Sequence, residues 1–448
     1  MKNLIRSAHK LYLKRITDEI RDNPKQFWSY LKNKNKQSGI PNIMNYKNTE
    51  INTPQEIVNA FADLFGKSYT HCTSGNSICS SVTDLDDLYK NTLYLKKFDK
   101  SEIHAACMQL KPTLTAGPDG VPSFFIRDCA SILCDPLLKI FNLILKRSVF
   151  PEKWKLSRIT PVHKKDSSSD VTNYRPITII NNFAKIFEIA LHSRMYRHVF
   201  THLSSAQHGF VKGRSTTTNL LLKTQFIADC LDERGQVDCI YTDYSKAFDC
   251  INHTILLHKL HSFGCSIDLV NLFSSYLCGR YQYVYCHGFK SVNFLQSSGV
   301  PQGSVLGPLL FNIYINDVVT QFDVKHLIYA DDLKLFCSIT TINDCIRLQD
   351  NINRLFNWSN RNELLVNKKK CFVKSFYRKL NPIAYDYNID GFVLQRPEHI
   401  CDLGVTFDTK LRFDKHIEVI TSKAYKSLGL VIRNSSFIKE KDILQLLF

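Results

Sequence analysis

No apolar run in this chain is long enough to cross a membrane. The longest candidate, Pro136 to Phe150, is broken by Lys139, Lys146 and Arg147, so no membrane partner is expected. The N-terminus opens Met1-Lys2-Asn3 and shows neither an apolar core nor a small-residue cleavage site; a secretory leader is not expected. Cys-x-x-Cys pairs are missing, although 15 cysteines are scattered from Cys72 to Cys401. That spacing does not support a zinc ribbon or finger. The thiols are expected to be reduced, in a nuclear or cytoplasmic setting. No internal repeat is found, and the one low-complexity loop of the body runs from Lys164 to Asp170. Acidic residues are also scarce: 41 Asp and Glu face 58 Lys and Arg, for a net charge of +17. Such a field attracts polyanions, of which nucleic acid is the usual one.

What is present fits a globular protein of two or three domains. Hydrophobic residues make up 44% and charged residues 22% of the 448, which is enough for a sizeable core. From Met1 to about Lys36, Leu4, Ile5, Ala8, Leu11 and Ile16 recur at helical spacing. Lys10, Lys14, Arg15, Arg21, Lys25 and the cluster Lys32, Lys34 and Lys36 supply a basic face, which either grips a phosphate backbone or is simply solvated. Residues 37–95 read as a linker carrying one helix near Pro54 to Phe65, with a Ser/Thr/Cys-rich stretch at His71 to Thr83. The body starts near Ser101.

Within the body, Ala116-Gly117-Pro118-Asp119-Gly120 is turn chemistry, and a helix is expected over Pro136 to Arg147. Val237 to Asp243 reads as a buried strand ending in an acid. Helices are expected at Thr254–His261 and Ile267–Leu277, then a hairpin around His287-Gly288. A helix bearing Leu306, Leu309, Leu310 and Ile313 follows, and an amphipathic one over Thr341 to Asn360. Strands fill roughly Cys371 to Phe407, and a basic helix runs from Asp414 to Leu430.

The chemistry concentrates at Tyr329-Ala330-Asp331-Asp332, which sits between Leu327-Ile328 and Leu333, Leu335 and Phe336. Two adjacent carboxylates at the tip of a hairpin repel one another unless a cation joins them. Hard cations take carboxylate and phosphate oxygens together. If the strand ending at Asp243 neighbours this hairpin, three acids converge at one sheet edge. Acids so placed around two Mg²⁺ ions suit an in-line displacement in which a hydroxyl attacks and pyrophosphate leaves. The plainer alternative is that Asp243 is a helix cap and Asp331-Asp332 a polar turn.

Seven ordered segments carry a resemblance. Asp243-x-x-Lys246-Ala247-Phe248-Asp249, Gly299-Val-Pro-Gln302-Gly303 through Pro308, and Tyr329-Ala330-Asp331-Asp332 resemble successive palm motifs of reverse transcriptases. Ala116 to Gly120, Asn173-Tyr174-Arg175-Pro176-Ile177, and Gln207-His208-Gly209-Phe210 with Lys212 to Thr216 resemble the finger motifs. Leu364-x-Val366-Asn367-x-x-Lys370 resembles the segment after the palm hairpin. The wording is similar to non-LTR retrotransposons of the long-interspersed, jockey-like kind, over roughly residues 100–448.

The resemblance implies an α+β right-hand polymerase fold: fingers, a palm with an antiparallel sheet, and a partial thumb, preceded by a basic helical linker. The expected boundaries are 1–100 for the extension, 101–376 for fingers and palm, and 377–448 for a primer-grip hairpin, Cys401 to Phe407, and a truncated thumb. It implies an RNA-directed DNA polymerase that joins dNTPs to a DNA primer on an RNA template. Asp243, Asp331 and Asp332 would hold two Mg²⁺ ions, for which Mn²⁺ would substitute. Phe248 resembles the steric gate that rejects a 2′ hydroxyl. Gln302 resembles the contact to the incoming nucleotide, and Arg175, with Lys164 and Lys165 beside it, the clamp on its triphosphate. Lys370 would protonate pyrophosphate, although Lys368 and Lys369 precede it directly. Lys423, Lys426 and Arg433 would face the template–primer backbone, read by shape.

Neither an endonuclease cluster nor a Cys/His knuckle is legible, so nicking of the target would be supplied separately. A group II intron-type enzyme is disfavoured by Ser304-Val305-Leu306-Gly307 and by the missing maturation domain. A truncated or domesticated remnant that binds RNA or DNA without catalysis is the alternative; the intact acids argue against it, and the short thumb argues for it.

Overall fold

A computed structural model describes residues 2–34, 39–69, 93–435, 437–438 and 440–447. Lys36 and the stretch His71 to Thr83 lie outside the described residues. The chain divides into two compact units, Asn42–Glu398 and, joined from both ends, Met1–Pro41 with His399–Phe448.

The larger unit opens with a small hairpin, β1 (Met44–Tyr46) and β2 (Thr49–Ile51), and the helix Pro54–Gly66. This helix begins as its sequence directs, with Thr53 capping Glu56 N–H and Pro54 in the first turn. It buries Ile57, Val58, Phe61 and Phe65. Two sheets follow. One contains β3 (Leu156–His163), β4 (Tyr174–Ile179), β6 (Arg280–Cys286) and β7 (Phe289–Lys290), in the order β4-β3-β6-β7, with β8 (Phe294–Gln296) also pairing with β6. The other contains β5 (Gln236–Thr242), β9 (Lys325–Tyr329), β10 (Asp332–Ser338) and β11 (Phe372–Tyr377). Its order is β11-β5-β10-β9 and every pairing is antiparallel. A short hairpin, β12 (Asn388–Ile389) and β13 (Phe392–Val393), completes the unit's strands.

One apolar core joins these parts. Ile240, Leu333, Leu335 and Val373 from the four-stranded sheet pack with Leu309, Leu310 and Ile313 of the helix Gly307–Ile315 and with Leu348, Ile352 and Leu355 of Ile342–Arg361. Every residue of β5 is buried, as expected of a central strand; its polar members are satisfied, Asp238 by the hydroxyls of Ser375 and Tyr387.

The smaller unit pairs the helices Lys2–Ile20 and Lys25–Lys34, separated at Pro24, with the helix Asp414–Asn434. Ile16, Ile20, Phe27 and Leu31 bury against Val431, Ile438 and Ile443. The hairpin β14 (Ile400–Asp402) and β15 (Val405–Phe407) belongs here too, turning through Leu403-Gly404 at positive φ.

The division between the compact units falls at Pro41/Asn42 and Glu398/His399. Residues 42–69 pack on the larger unit instead of bridging to it. Asn45 N–H donates to the Ser169 carbonyl at 2.7 Å. Phe61 meets Tyr174 edge-on at 5.1 Å, and the Tyr69 hydroxyl donates to Gln282 at 2.7 Å. The apolar face of a single helix is enough to draw this segment onto a sheet. Residues 2–34 instead share a core with residues from the other end of the chain.

Candidate active site

The β9–β10 hairpin closes between paired Tyr329 and Asp332, leaving Ala330 and Asp331 as its turn. Ala330 has φ +55°, a left-handed conformation that costs a non-glycine residue about 1–2 kcal/mol. A clamp from residues 207–209 holds it there. Gln207 Oε1 accepts the N–H of Ala330 at 3.1 Å and of Gly209 at 2.7 Å, and His208 N–H donates to the Ile328 carbonyl at 2.8 Å. Gly209 lies so close that a Cβ would stand 2.2 Å from Ala330 N.

Asp243 directly follows β5. The last pair of the β5–β10 ladder is Thr242 with Leu333, so Asp243 and Asp332 each lie one residue beyond it. Residues 364–367 are laid against this strand end. Asn367 N–H donates to the Asp243 carbonyl and Ser245 N–H to the Leu365 carbonyl, both at 2.8 Å. A short 3-10 turn then brings Lys370 Nζ to 3.2 Å from Asp243 Oδ2. Lys368 turns away to Asp390 at 2.6 Å. Of these two lysines, the backbone turn brings Lys370 to the acid.

Cations approach from the other sheet. Arg175 pairs with Val162 across β3 and β4, and Lys164 N–H donates to the Asn173 carbonyl at 2.8 Å. Partial burial, followed by the charges of Lys370, Arg175 and Lys165, pushes the Lys164 ammonium below its ordinary range, while Asp243 opposes the shift. Asp331 shows the converse. Burial chiefly, and then the charge of Asp243, raise its carboxyl; a backbone N–H, Arg175 and Lys370 pull it back. Asp243, Asp331, Lys164, Arg175 and Lys370 therefore share one electrostatic field.

Gln302 sits in a loop pressed onto both neighbours. Its carbonyl accepts the Thr178 N–H at 2.8 Å. Gly303, at φ +118°, places its Cα where a Cβ would meet the Thr178 carbonyl oxygen at 2.5 Å. The Gln302 side chain donates to Asp249 Oδ1 at 2.7 Å. Phe248 stacks on Phe311 at 4.4 Å and meets Phe210 edge-on at 6.2 Å. It is half-buried, so its ring is fixed by the core yet not enclosed by it.

Asp243 Oδ2 is buried and accepts no hydrogen bond, although Lys370 stands beside it. An unsatisfied buried carboxylate oxygen facing a second acid suits a divalent cation. Among the described residues no group of three His, Cys, Asp or Glu forms a ready cage. Asp332 is exposed, whereas Asp243 and Asp331 are half-buried. In the smaller unit, Lys426 and Arg433 line one concavity with Ser422, Tyr425 and Gly429, and Lys423 lies outside that lining.

Three contributors had no role assigned from sequence. Gln207 and Asp249 stood inside quoted motifs. Glu188, fully buried in the helix Asn182–Phe200, accepts the N–H of Val305 and the hydroxyl of Tyr276, each at 2.7 Å, and so anchors the end of the Gln302 loop. Its signal was available: a carboxylate between Phe187 and Ile189 is anomalous unless it is satisfied.

Residues 162–432 match the family described as reverse transcriptase (RNA-dependent DNA polymerase). The chain is 27% identical over 391 residues to the probable RNA-directed DNA polymerase from transposon BS of Drosophila melanogaster, covering 84% of this chain and 43% of that protein. It is 26% identical over 380 residues to the RNA-directed DNA polymerase from mobile element jockey of the same fly, covering 82% and 41%. A 298-residue match at 30% identity links 63% of the chain to 32% of the probable RNA-directed DNA polymerase from transposon X-element, also of Drosophila melanogaster. The chain thus spans about two fifths of the length of the first two relatives.

Proposed function

We propose, on the premise that this chain belongs to the reverse transcriptase (RNA-dependent DNA polymerase) family, that it extends a DNA primer with dNTPs on an RNA template within a non-LTR, jockey-like retroelement. The observation that carries this reading is the meeting of Asp243 with the Asp331–Asp332 end of the neighbouring hairpin at one sheet edge, in one electrostatic field with Lys370, Arg175 and Lys164. In right-hand terms, the β5-containing sheet is the palm and the β3–β4 sheet the fingers. The β14–β15 hairpin and the helix after it are the primer grip and the start of the thumb.

Asp243 and Asp331, with Asp332 as the supporting acid, would hold two Mg²⁺ ions, for which Mn²⁺ would substitute. Such ions lower the pKa of a primer 3′ hydroxyl and neutralise departing pyrophosphate. The chain's own residues do the placing. Arg175 offers a planar fork to the triphosphate, with Lys164 and Lys165 adding charge. Lys370, held beside Asp243, is positioned to give a proton to pyrophosphate. Phe248, braced by Phe311, presents a fixed ring to the sugar and excludes a 2′ hydroxyl. Lys423, Lys426 and Arg433 neutralise the backbone of the template–primer duplex. The setting in this reading is nuclear or cytoplasmic.

Primer extension on poly(rA)–oligo(dT) with dTTP and Mg²⁺ or Mn²⁺ tests the proposal. Wild type should extend the primer and D331A should not. Hybrid binding without extension by wild type would replace the polymerase reading with that of a nucleic-acid binder.

A further inference from the structure

We infer that Asp249 is the positioning residue for Gln302, fixing the amide that meets the incoming nucleotide and tying it to the neighbouring Phe248. The inference rests on the polymerase reading above. Asp249 is buried, with 6% of its surface exposed. A carboxylate there needs a compensating partner, and Gln302 Nε2 supplies one at 2.7 Å.

The contact fixes more than a distance. A carboxylate accepts and cannot donate, so the Gln302 NH₂ must face Asp249 and its carbonyl oxygen must face away. A long, flexible side chain is thereby held in one orientation before any ligand arrives, which is how positioning raises affinity.

The surroundings make Asp249 a rigid reference point. Its N–H donates to the Lys246 carbonyl at 2.9 Å, and its carbonyl accepts the Ser298 hydroxyl at 2.6 Å. Val300 N–H donates to the Phe248 carbonyl at 2.9 Å, and Gly299 N–H to the Ile251 carbonyl at 2.8 Å. At Gly299, a Cβ would stand 2.5 Å from the Phe248 carbonyl oxygen. The segment bearing Phe248 and the loop bearing Gln302 are thus joined through backbone, with the Asp249 side chain closing the last link. Gln302 is held on its other side by Thr178, three residues beyond Arg175 on β4. The proposed contacts to sugar, nucleotide and triphosphate meet at this one glutamine.

The test is steady-state single-nucleotide incorporation on an RNA–DNA hybrid with wild type, D249A, D249N, Q302A and D249A/Q302A, each checked for a wild-type unfolding transition. D249A should raise KM for the dNTP about tenfold with kcat little changed. D249N, which keeps an oxygen acceptor for Gln302, should restore most of that loss. D249A/Q302A should be no worse than Q302A alone, because the acid acts through the glutamine. If D249A does not fold, D249T replaces it, polar but too short to reach Gln302. Losses that add in the double variant, or a fall in kcat at constant KM, would overturn the inference and leave the polymerase reading intact. A wild type that incorporates nothing would overturn both.

Discussion

Replacing Gly209 by alanine should displace the acid it never touches. The added Cβ would lie 2.2 Å from Ala330 N, 2.9 Å from its Cα and 3.0 Å from its Cβ. All three atoms belong to the residue before Asp331, and the two nearest are backbone, so no side chain can rotate away. Relief to ordinary contact requires a shift of about 1 Å in a densely packed region. The Gln207 clamp resists it, because Gln207 Oε1 bonds both sides of the clash. Overpacking of this kind costs about 1–3 kcal/mol. A reacting group misplaced by about 1 Å loses on the order of 10²-fold in rate. Single-turnover extension and urea unfolding, measured side by side, separate the two effects. G209A should lose about 10²-fold in rate while remaining folded. G39A is the control, since nothing lies within 4 Å of a Cβ at Gly39. A G209A protein with wild-type stability and a rate within about twofold of wild type would refute the reasoning.

Other perturbations have equally definite outcomes. K370A should lower kcat by about 10²-fold or more; K368A, which breaks the pair with Asp390 and the contact over the Phe356 ring, should cost no more than about 1 kcal/mol of stability and leave kcat unchanged. F248V should admit ribonucleotides, with discrimination against rNTPs falling by at least about tenfold. Asp249 predicts a pH dependence of folding. Burial raises its carboxyl from an ordinary 3.8 to about 6, against the opposing pull of Gln302 and Lys246. Between those values the native chain keeps a proton that the unfolded chain has lost. Its contribution to stability is therefore greatest below about pH 4, declines as pH rises to about 6, and is flat above that, by ~3 kcal/mol in all. Urea midpoints across this range should show D249N gaining on wild type as pH rises; parallel curves would show that the buried carboxyl does not titrate there.

Much of the fold was legible because much of it is local. The strand before Asp243, the hairpin tipped by Asp331, and the helices from Ile267 to Leu277 and Ile342 to Arg361 carry their period in adjacent residues. Two long helices did not. In Asn182–Phe200 the residues from Ile186 to Leu191 are all buried, so no amphipathic stripe exists to be seen. In Thr216–Asp232 the buried face is Asn219, Lys223, Ile227 and Leu231, whereas Leu221 and Leu222 are exposed. Polarity there points the wrong way because Lys223 bonds Tyr241 at 3.1 Å and Asn219 accepts from Lys334 at 2.9 Å beneath the sheet.

The order of motifs and the types of side chain they bring were determined by sequence alone: acids after two strands, a glutamine between glycines, an arginine and lysines upstream. These follow from residue identity and short-range periodicity, which the chain states outright. Tertiary structure decided which of them meet. It set β5 beside β10, so that Asp243 and the distant Asp331–Asp332 hairpin end lie at one sheet edge, and it brought Lys370 to Asp243 while sending Lys368 to Asp390. It also gave Asp249 to Gln302, and residues 42–69 to the larger unit. Such choices depend on strand partners and packed faces distant in sequence, and a local pattern holds no information about which distant surface will bury it.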